Sequence, residues 1–244
     1  IWRTIQGELL GISASDNGTL MALALAECKP DKTARLISLF VSPQRRRLGI
    51  GSRLIVHLSK FLQQQGLTNL SVNYQAPHHQ PGPMDRLLDR LGWSTPQQLF
   101  LLLKGEAKQL ASIAWPERFP LPEGYQLTPW LTDYADIALQ LLGGEERTEA
   151  IQSSQLEPQM SLALLHHNTL VGWVLVNRTS TNATRFSSLF VNKGHRARGQ
   201  ALNLLVHAFR KQQAAGIPIA RPAVPPHSKA MLRLVHRHLG QHLK

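Results

Sequence analysis

The sequence contains one cysteine, Cys28, among its 244 residues. A single cysteine cannot form an intramolecular disulfide, so the sequence does not belong to the small secreted proteins that disulfides stabilise. No apolar run approaches the roughly 18 residues that predict a membrane-spanning helix. The basic start, Ile1-Trp2-Arg3, is not followed by the continuous apolar core of a signal peptide. These absences predict a cytoplasmic protein that does not contact a membrane.

Acidic and aromatic residues are also scarce. The 15 Asp plus Glu stand against 27 Lys plus Arg, which gives a formal net charge of +12. Such a charge attracts polyanions, whether nucleic acid, anionic lipid or a phosphate-rich cofactor. Aromatic residues make up 6% of the chain and do not interleave with the basic clusters. The stacking surfaces of single-strand binders are therefore not expected, and nucleic acid is a less favoured partner.

Histidine is plentiful, but the patterns typical of metal sites are missing. The sequence has 11 histidines and neither a Cys-x-x-Cys nor a His-Glu-x-x-His motif. The adjacent pairs His78-His79 and His166-His167 place neighbouring side chains in different directions. We therefore expect no metal ion. Cys28 ends an apolar run and is predicted to be a small core residue rather than a nucleophile.

The sequence repeats itself at an offset of 150 positions. Residues 34–58 and 184–208 align without a gap, and 10 of these 25 positions are identical. Each copy predicts the same order of elements: a hairpin, a third strand, a Gly- and Arg-containing turn, a helix, a further strand and a short helix. The hairpin turns are Asp16-Asn17-Gly18 and His167-Asn168. The third strands are at 34–41 and 184–191, the helices at about 51–65 and 200–215, the next strands near 69–74 and 217–220, and the short helices at 83–91 and 227–239.

The repeat predicts two domains. We expect an N-terminal domain over residues 1–110, a linker with three prolines over 111–123, and a C-terminal domain over 124–244. A last strand is expected at 98–104 in the first half. The first half lacks counterparts of the opening elements of the second, and the second half lacks a counterpart of strand 98–104. Either the sequence is a fragment, or the two halves complete each other.

The turn over residues 44–52 has the chemistry of a pyrophosphate cradle. It joins a predicted buried strand to the start of a helix, where free N–H groups and the helix dipole favour an anion. Its glycines permit a close approach of the backbone, and its arginines add charged phosphate contacts. The spacing matches neither a nucleotide P-loop nor a dinucleotide fold.

The pattern Arg-x-x-Gly-x-Gly/Ala, after a strand that ends in Val, resembles the acyl-CoA loop of the GNAT superfamily of N-acetyltransferases. It begins at Arg46 in the first half and, within loop 194–202, at Arg196 in the second. The resemblance covers most of both halves. It implies an α/β protein with a mixed sheet and a tandem GNAT fold, in which the first half lacks its opening elements and the second its last strands.

The resemblance also implies an activity and a binding site. The activity is an acetyl-CoA-dependent transfer of an acetyl group to an amine, by direct attack on the thioester. In the family the strand before the loop separates from its neighbour and contacts the thioester and pantetheine, while the loop amides hold the pyrophosphate. We expect the first half to bind acyl-CoA, and the second half to be weaker or structural, because Gln200 and Ala201 replace Ile50 and Gly51. The expected contacts are Leu39, Phe40, Val41, Arg46, Arg47, Leu48, Gly49, Ile50, Gly51 and Ser52, with a weaker set of Leu189, Phe190, Val191, Arg196, Gly199 and Ala201.

The catalytic groups of the family are not obvious here. The usual acid is a Tyr four residues before the Gly that closes the short helix. Leu88 takes that position in the first half and cannot donate a proton, whereas His236 takes it in the second. His236 is a candidate acid, or else a surface histidine on a basic helix. No carboxylate lies in the strand before either loop, so Glu27 and Glu8 in the neighbouring strands are the candidate bases.

Three functional hypotheses remain. The favoured one is an N-acyltransferase whose acceptor is a small-molecule or protein amine. Leu88 and the missing strand carboxylate favour a catalytically weak acyl-CoA-binding or regulatory module. The basic tail favours a nucleic-acid-associated protein built on a GNAT scaffold; it contains Lys229, Arg233, Arg237 and Lys244. The sequence specifies neither the acceptor, the acyl length nor the oligomeric state.

Overall fold

The computed structural model describes residues 8–76, 80–143, 148–151, 155–196 and 199–243. These residues form two compact units, one ending at Gln97 and the other beginning at Gln98. Each unit contains one copy of the repeat. The division lies ahead of residue 110, where we expected the first domain to end.

The first unit begins with an antiparallel hairpin. Strand β1 (Glu8–Asp16) pairs with strand β2 (Thr19–Cys28) in antiparallel register. The turn residues Asn17 and Gly18 both have positive φ, 49° and 79°. Two such residues in a row are what a type I′ turn requires, and the Asn-Gly pair satisfies it. The predicted hairpin is confirmed.

A parallel crossover completes the sheet of the first unit. Strand β3 (Thr33–Val41) pairs antiparallel with β2, and strand β4 (Asn69–Val72) pairs parallel with β3, so the order is β1-β2-β3-β4. Parallel neighbours need a long connection, which helix α1 (Ile50–Gln64) supplies. A short helix, α2 (Pro83–Arg90), follows β4.

One face of this sheet forms the core of the first unit. Every second residue of β2 is a small alanine, Ala22, Ala24 and Ala26, and all three are fully buried. Small side chains at alternate positions let helix α1 pack close to the sheet. The helix contributes a stripe of buried residues at helical spacing, which consists of Leu54, Ile55, Leu58 and Leu62.

The second unit is built on a larger sheet with helices on both faces. Its strand order is β5-β11-β10-β9-β8-β7, and β6 also pairs with β11. The strands are β5 (Leu101–Leu102), β6 (Gly105–Glu106), β7 (Tyr125–Pro129), β8 (Leu162–His166), β9 (Thr169–Ser180), β10 (Ala183–Val191) and β11 (Ile219–Val224). The helices are α3 (Ala107–Ala111), α4 (Trp115–Arg118), α5 (Tyr134–Leu142), α6 (Thr148–Ile151), α7 (Gln200–Ala214) and α8 (Lys229–Leu234).

The second unit buries both faces of its sheet. Helix α7 packs Phe209 and its neighbours against one face, while α5 packs Ala138 against Trp173 and the other face. Strand β9 is therefore buried almost continuously and reads as a run of apolar residues. The equivalent strand β2 alternates between buried and less buried positions. The second hairpin turn, His167-Asn168, has positive φ at both residues and confirms that prediction.

The strand expected to close the first half pairs instead with the second. Leu101 and Leu102 of β5 pair antiparallel with Val224 and Ala223 of β11. Strand β5 therefore extends this edge of the sheet beside β6, which pairs with Ile219 and Ala220 of the same strand.

The segment expected to be a linker is folded onto the second unit. Residues 107–118 form α3 and α4, and Leu110 and Ala111 are buried in the core. Pro116 lies in the first turn of α4, where proline favours a helix rather than breaking it. Arg210 of α7 donates hydrogen bonds to the carbonyl oxygens of Ala111 and Ile113 at 3.2 and 3.3 Å. Pro116 therefore begins a helix instead of marking a flexible connection.

Candidate functional site

A closed turn joins strand β3 to helix α1 in the first unit. After Val41 the chain makes one 3₁₀ turn and an extended residue, Arg46, with φ −71° and ψ 159°. The Nε–H of Arg46 donates to the carbonyl oxygen of Val41 at 3.0 Å and so ties the turn back to the end of the strand. Gly49 then adopts φ 78°, a left-handed conformation that favours glycine, and α1 begins.

Strands β3 and β4 separate before β3 reaches this turn. Their pairing ends at Leu36 and Val72, whereas β3 continues to Val41. On the other side of β3, Leu36 and Ser38 pair with consecutive residues of β2, so Ile37 is the extra residue of a β-bulge. A bulge bends its strand and increases its twist, so it accounts for the separation at this point. The last residues of β3 have a strand partner on one side only in the described part of this unit.

The residues expected to contact acyl-CoA surround this opening. Phe40 is 50% exposed and Leu48 is 61% exposed, while Leu39 and Val41 are partly buried on the core side. A Cβ placed on Gly51 would lie 3.7 Å from Cγ2 of Val41, which is an ordinary contact distance. The start of α1 therefore lies close against β3.

The N-terminus of helix α1 is open. Its N-cap, Gly49, makes no side-chain cap hydrogen bond, and the first turn contains no acidic residue. A Cβ placed on Gly49 would meet no atom within 4 Å. Free N–H groups with a positive helix dipole attract an anion, and no side chain competes for them here. The turn therefore fits the pyrophosphate of an acyl-CoA.

The arginines of the turn have different partners. Arg45 forms an exposed ion pair with Asp16 at 3.0 Å, and Arg46 is bonded to the strand carbonyl. Arg47, with φ 64°, and Arg53 are exposed, and neither has a hydrogen-bond or ion-pair partner among the described residues. Arg47 and Arg53 are thus the cations available to an anion at this helix N-terminus.

The candidate catalytic residues are less well placed. Glu27 is 2% exposed and accepts two hydrogen bonds from the Arg35 guanidinium, the shorter at 2.7 Å. A buried carboxylate that is paired with arginine stabilises the sheet and is a poor base for an incoming amine. Leu88 is buried in the core, in agreement with its inability to donate a proton. His236 is exposed in the π-helical segment Val235–Leu239, and its role as an acid remains a prediction. Glu8 is exposed at the start of β1.

A tyrosine and an aspartate that the sequence analysis missed lie beyond the end of β4. The Tyr74 hydroxyl donates to Oδ1 of Asp85 at 2.7 Å, and the Gly82 N–H donates to Oδ2 at 2.6 Å. Burial, followed by the hydrogen bond to Asp85, raises the pKa of Tyr74 to about 12. The same hydrogen bond is the largest cause of the lowered pKa of Asp85. An acidic residue three positions after the N-cap of α2 is the signal that could have found Asp85.

The second unit repeats two features of this turn in its described residues. Arg196 donates its Nε–H to the carbonyl oxygen of Val191 at 2.7 Å, and Gly199 has φ 82°. Strands β10 and β11 stop pairing at Phe186 and Pro222, and Ser187 is the bulged residue. Ala197 and Arg198 of this loop lie outside the described residues.

The second turn differs from the first in its exposure. A Cβ placed on Gly199 would lie 2.9 Å from Nε1 of Trp115, whereas the same atom on Gly49 would meet open space. Gln200 and Asn203, in the first turn of α7, are each 1% exposed. The N-terminus of α7 is therefore covered.

A group of aromatic and imidazole rings adjoins the second turn. The Tyr125 hydroxyl is hydrogen-bonded to Nδ1 of His195 at 2.7 Å. The centroid of the His166 ring lies 4.4 Å from that of Tyr125 and 5.0 Å from that of His195.

No set of three His, Cys, Asp or Glu within the described ranges is arranged to hold a metal ion. His78 and His79 fall outside those ranges. Of the helices described, none is both long and apolar enough to cross a membrane.

The first half matches a family model. Residues 2–81 match the acetyltransferase (GNAT) family, a range that includes the hairpin, β3, the turn, α1 and β4. The match lies within the first half and covers less than half of the whole chain. A comparison with curated protein sequences finds no match.

Solved structures confirm the tandem GNAT fold of the whole chain. A tandem GNAT protein from the clavulanic acid biosynthesis pathway is 19% identical with a TM-score of 0.72, over 96% of this chain and 79% of that one. A GCN5-related N-acetyltransferase from Sphaerobacter thermophilus is 18% identical with a TM-score of 0.67, over 96% and 77%. A glucosamine N-acetyltransferase region of a fungal β-N-acetylglucosaminidase is 15% identical with a TM-score of 0.63, over 98% and 32%. These identities bear on the fold alone.

Proposed function

We propose that the protein is an acetyl-CoA-dependent N-acyltransferase whose active half is the first unit. The observation that carries the proposal is the open N-terminus of α1, at the end of a strand that separates from its neighbour, with Arg47 and Arg53 unpaired beside it. The acceptor is a small-molecule or protein amine. The GNAT family of the first half supports acyl transfer in general.

The residues of the chain have distinct parts in this proposal. The amides of residues 46–52 hold the pyrophosphate, and Arg47 and Arg53 add charge to that contact. The free side of β3 at Leu39, Phe40 and Val41 offers backbone hydrogen bonds to the pantetheine and the thioester. Arg46 positions the turn through its bond to Val41 and is not itself the main phosphate ligand.

The reaction is a direct displacement. The neutral acceptor amine attacks the thioester carbonyl, a C–N bond forms, the C–S bond breaks, the nitrogen releases one proton to the solvent, and CoA leaves as a thiolate. Negative charge develops on the carbonyl oxygen, and one fixed backbone N–H in that position typically contributes ~10²–10³ in rate. Because Leu88 is buried and apolar, the thiolate leaves without a proton from the position where the family usually has a Tyr.

Calorimetric titration with acetyl-CoA tests the binding site. Gly49→Glu places a carboxylate at the helix N-terminus and should abolish binding that the wild-type chain shows with one site. Gly66→Glu is the matched control, because Gly66 has φ 79°, meets no atom within 4 Å and lies beyond the other end of α1. It adds the same charge and the same backbone strain, yet it should leave affinity unchanged. Equal affinity of the two variants would contradict the site.

A second candidate function is an acyl-CoA-binding module without turnover. The buried Leu88 and the ion-paired Glu27 favour it, because neither position supplies a proton donor or acceptor. Free thiol released from acetyl-CoA in the presence of a panel of primary amines separates the two functions. Thiol release that depends on the amine and disappears in Gly49→Glu supports the enzyme. Tight binding with no release from any amine supports the module.

A further inference from the structure

The net charge of the protein comes entirely from the last part of the chain. All 15 Asp and Glu lie within residues 1–157, whereas 12 of the 27 Lys and Arg lie within residues 158–244. The earlier part therefore carries equal numbers of basic and acidic side chains, and the later part accounts for the whole charge of +12. Arg178 and Arg210 pair with carboxylates from the earlier part. The remaining basic residues of the later part have no carboxylate near them in the sequence.

The charged residues of the last helix are all basic and exposed. Lys229 and Arg233 belong to α8, and His236 and Arg237 belong to the π-helical segment that continues it. Positions four apart lie on the same side of a helix, about 6 Å apart along its axis. Lys229, Arg233 and Arg237 therefore form a row on the outer side of this helix, which we call the basic row.

The basic row has no ion-pair partner in the part of the chain that the structure describes. The Nε–H of Arg233 donates to the carbonyl oxygen of Lys229 at 3.3 Å, so this side chain lies along the helix and keeps its other N–H groups for a ligand. Burial, followed by the positive charge of Arg237, lowers the pKa of the neighbouring His238. The row is thus a source of positive potential that no side chain of the helix neutralises.

The corresponding helix of the first unit shows that this charge is not required by the fold. Helix α2 carries Arg86 and Arg90 four positions apart, and the Nε–H of Arg90 donates to the carbonyl oxygen of Arg86 at 3.1 Å. Asp85 and Asp89 directly precede these two arginines, so α2 has equal numbers of acidic and basic residues. The arginines are arranged alike in the two copies, and only the second copy lacks the carboxylates.

The surroundings of the basic row favour one class of polyanion. The apolar residues Leu234, Val235 and Leu239 of this helix pack on the core, and no large apolar residue within 229–242 is exposed. The helix therefore offers neither an apolar face to a bilayer nor an apolar anchor to a protein partner. Residues 229–242 also contain no Phe, Tyr or Trp on which single-stranded bases could stack. Contacts of Lys and Arg with the backbone of a duplex need none of these features.

We propose that the basic row binds the phosphate backbone of double-stranded nucleic acid without reading its sequence. The row contributes three cations at regular spacing, and its free guanidinium N–H groups suit phosphate oxygens. The scarcity of aromatic residues excludes base stacking and is compatible with this mode of binding. The inference does not rest on the proposed function, because acyl-CoA is assigned to the first unit and the row belongs to the second.

Fluorescence anisotropy of a labelled short duplex, as RNA and as DNA, tests the proposal with the full chain. Three phosphate contacts predict a slope of about −2.7 for log affinity against log salt concentration, which is about a 40-fold loss between 50 and 200 mM salt. Arg233→Gln/Arg237→Gln removes two of the three contacts. It should weaken binding to the duplex by about tenfold or more and reduce the slope to about −0.9.

Arg86→Gln/Arg90→Gln is the matched control. It removes the same charge from exposed positions of the corresponding helix and should leave duplex affinity within about twofold of wild type. Circular dichroism should be the same for both variants, since all four side chains are exposed. Equal weakening in the two variants would show that only the net charge acts, and would overturn the inference. Absence of binding to both duplexes at low salt would also overturn it.

Competition and alternative polyanions complete the test. Saturating acetyl-CoA should leave duplex affinity unchanged, and displacement of the duplex by acetyl-CoA would overturn the inference. A single strand of the same sequence and vesicles of phosphatidylserine and phosphatidylcholine should bind more weakly than the duplex. Tighter binding of either, when it is lost in Arg233→Gln/Arg237→Gln, would assign the row to that partner instead. Duplex binding in a chain that does not bind acetyl-CoA would sustain this inference and count against the proposed function alone.

Discussion

Replacement of Gly49 or Gly199 by alanine measures how tightly Trp115 packs against the turn at Gly199. Gly49 and Gly199 have nearly the same φ, 78° and 82°, so an alanine at either position meets the same backbone strain. That strain costs roughly 1–2 kcal/mol, and the lower entropy of the unfolded chain offsets roughly 0.4–1 kcal/mol of it. The net cost of Gly49→Ala should be about 1 kcal/mol.

Gly199→Ala should cost more because its methyl group has no room. The new Cβ would lie 2.9 Å from Nε1 and 3.3 Å from Cζ2 of Trp115, so the indole or the helix has to shift. Overpacking of this kind typically costs about 1–3 kcal/mol beyond the strain. The total for Gly199→Ala should therefore be about 2–4 kcal/mol.

A second pair of glycines supplies the control within each unit. Gly66 and Gly216 follow the two long helices with φ of 79° and 70°, and a Cβ on either would meet no atom within 4 Å. Because the two units need not unfold together, each variant is compared with its partner in the same unit. The assay is urea unfolding followed by circular dichroism and tryptophan fluorescence. Gly199→Ala should exceed Gly216→Ala by about 1–3 kcal/mol, whereas Gly49→Ala and Gly66→Ala should agree. Equal costs at Gly199 and Gly216 would refute the reasoning.

Further predictions concern the first unit. Ultraviolet titration should show one tyrosine with a pKa of about 12, and this titration step should be missing in Tyr74→Phe. Because folding raises this pKa above the usual value of about 10, protonated Tyr74 stabilises the folded protein at neutral pH. That stabilisation should be lost as the pH rises from about 10 to about 12. Glu27→Ala leaves Arg35 without its buried partner and should cost about 3–5 kcal/mol in urea unfolding, whereas Asp16→Asn, in an exposed pair, should cost less than about 1 kcal/mol. Leu58→Ala removes a fully buried side chain and should cost about 2–5 kcal/mol; a loss below 1 kcal/mol would show that α1 does not pack on the sheet as described.

The parts of the fold that sequence reasoning predicted are those in which local chemistry decides the structure. Asn17-Gly18 and His167-Asn168 specify their turns through residues that tolerate positive φ. The apolar spacing of α1 and α7 specifies which face is buried, and the offset of the repeat shows that the two halves share a frame. The turn at Gly49 belongs to this class, because its conformation depends on residues within a few positions.

The parts that were not predicted depend on partners far away in the sequence. Leu101 and Leu102 form a strand that either half could accept, and only the three-dimensional structure shows that β11 receives them. The prolines near Trp115 are typical of linkers and of helix starts alike. The hydrogen bonds from Arg210 to the carbonyl oxygens of Ala111 and Ile113, which hold this segment on the second unit, are not visible in the local sequence. Asp85 has the spacing of a capping residue, but no spacing in the sequence predicts its contact with Tyr74.

The comparison of the two turns shows what the Arg-x-x-Gly pattern encodes. In both units the arginine closes the turn on a strand carbonyl and the glycine supplies the positive φ that begins the helix. These roles concern the strand-to-helix connection and would be required even if no ligand bound. The pattern at Gly199 is therefore explained by the turn alone, and its presence is not evidence of a second site. Access to the helix N-terminus is what distinguishes Gly49, and the residue that controls access at Gly199, Trp115, lies more than 80 positions earlier, outside the motif.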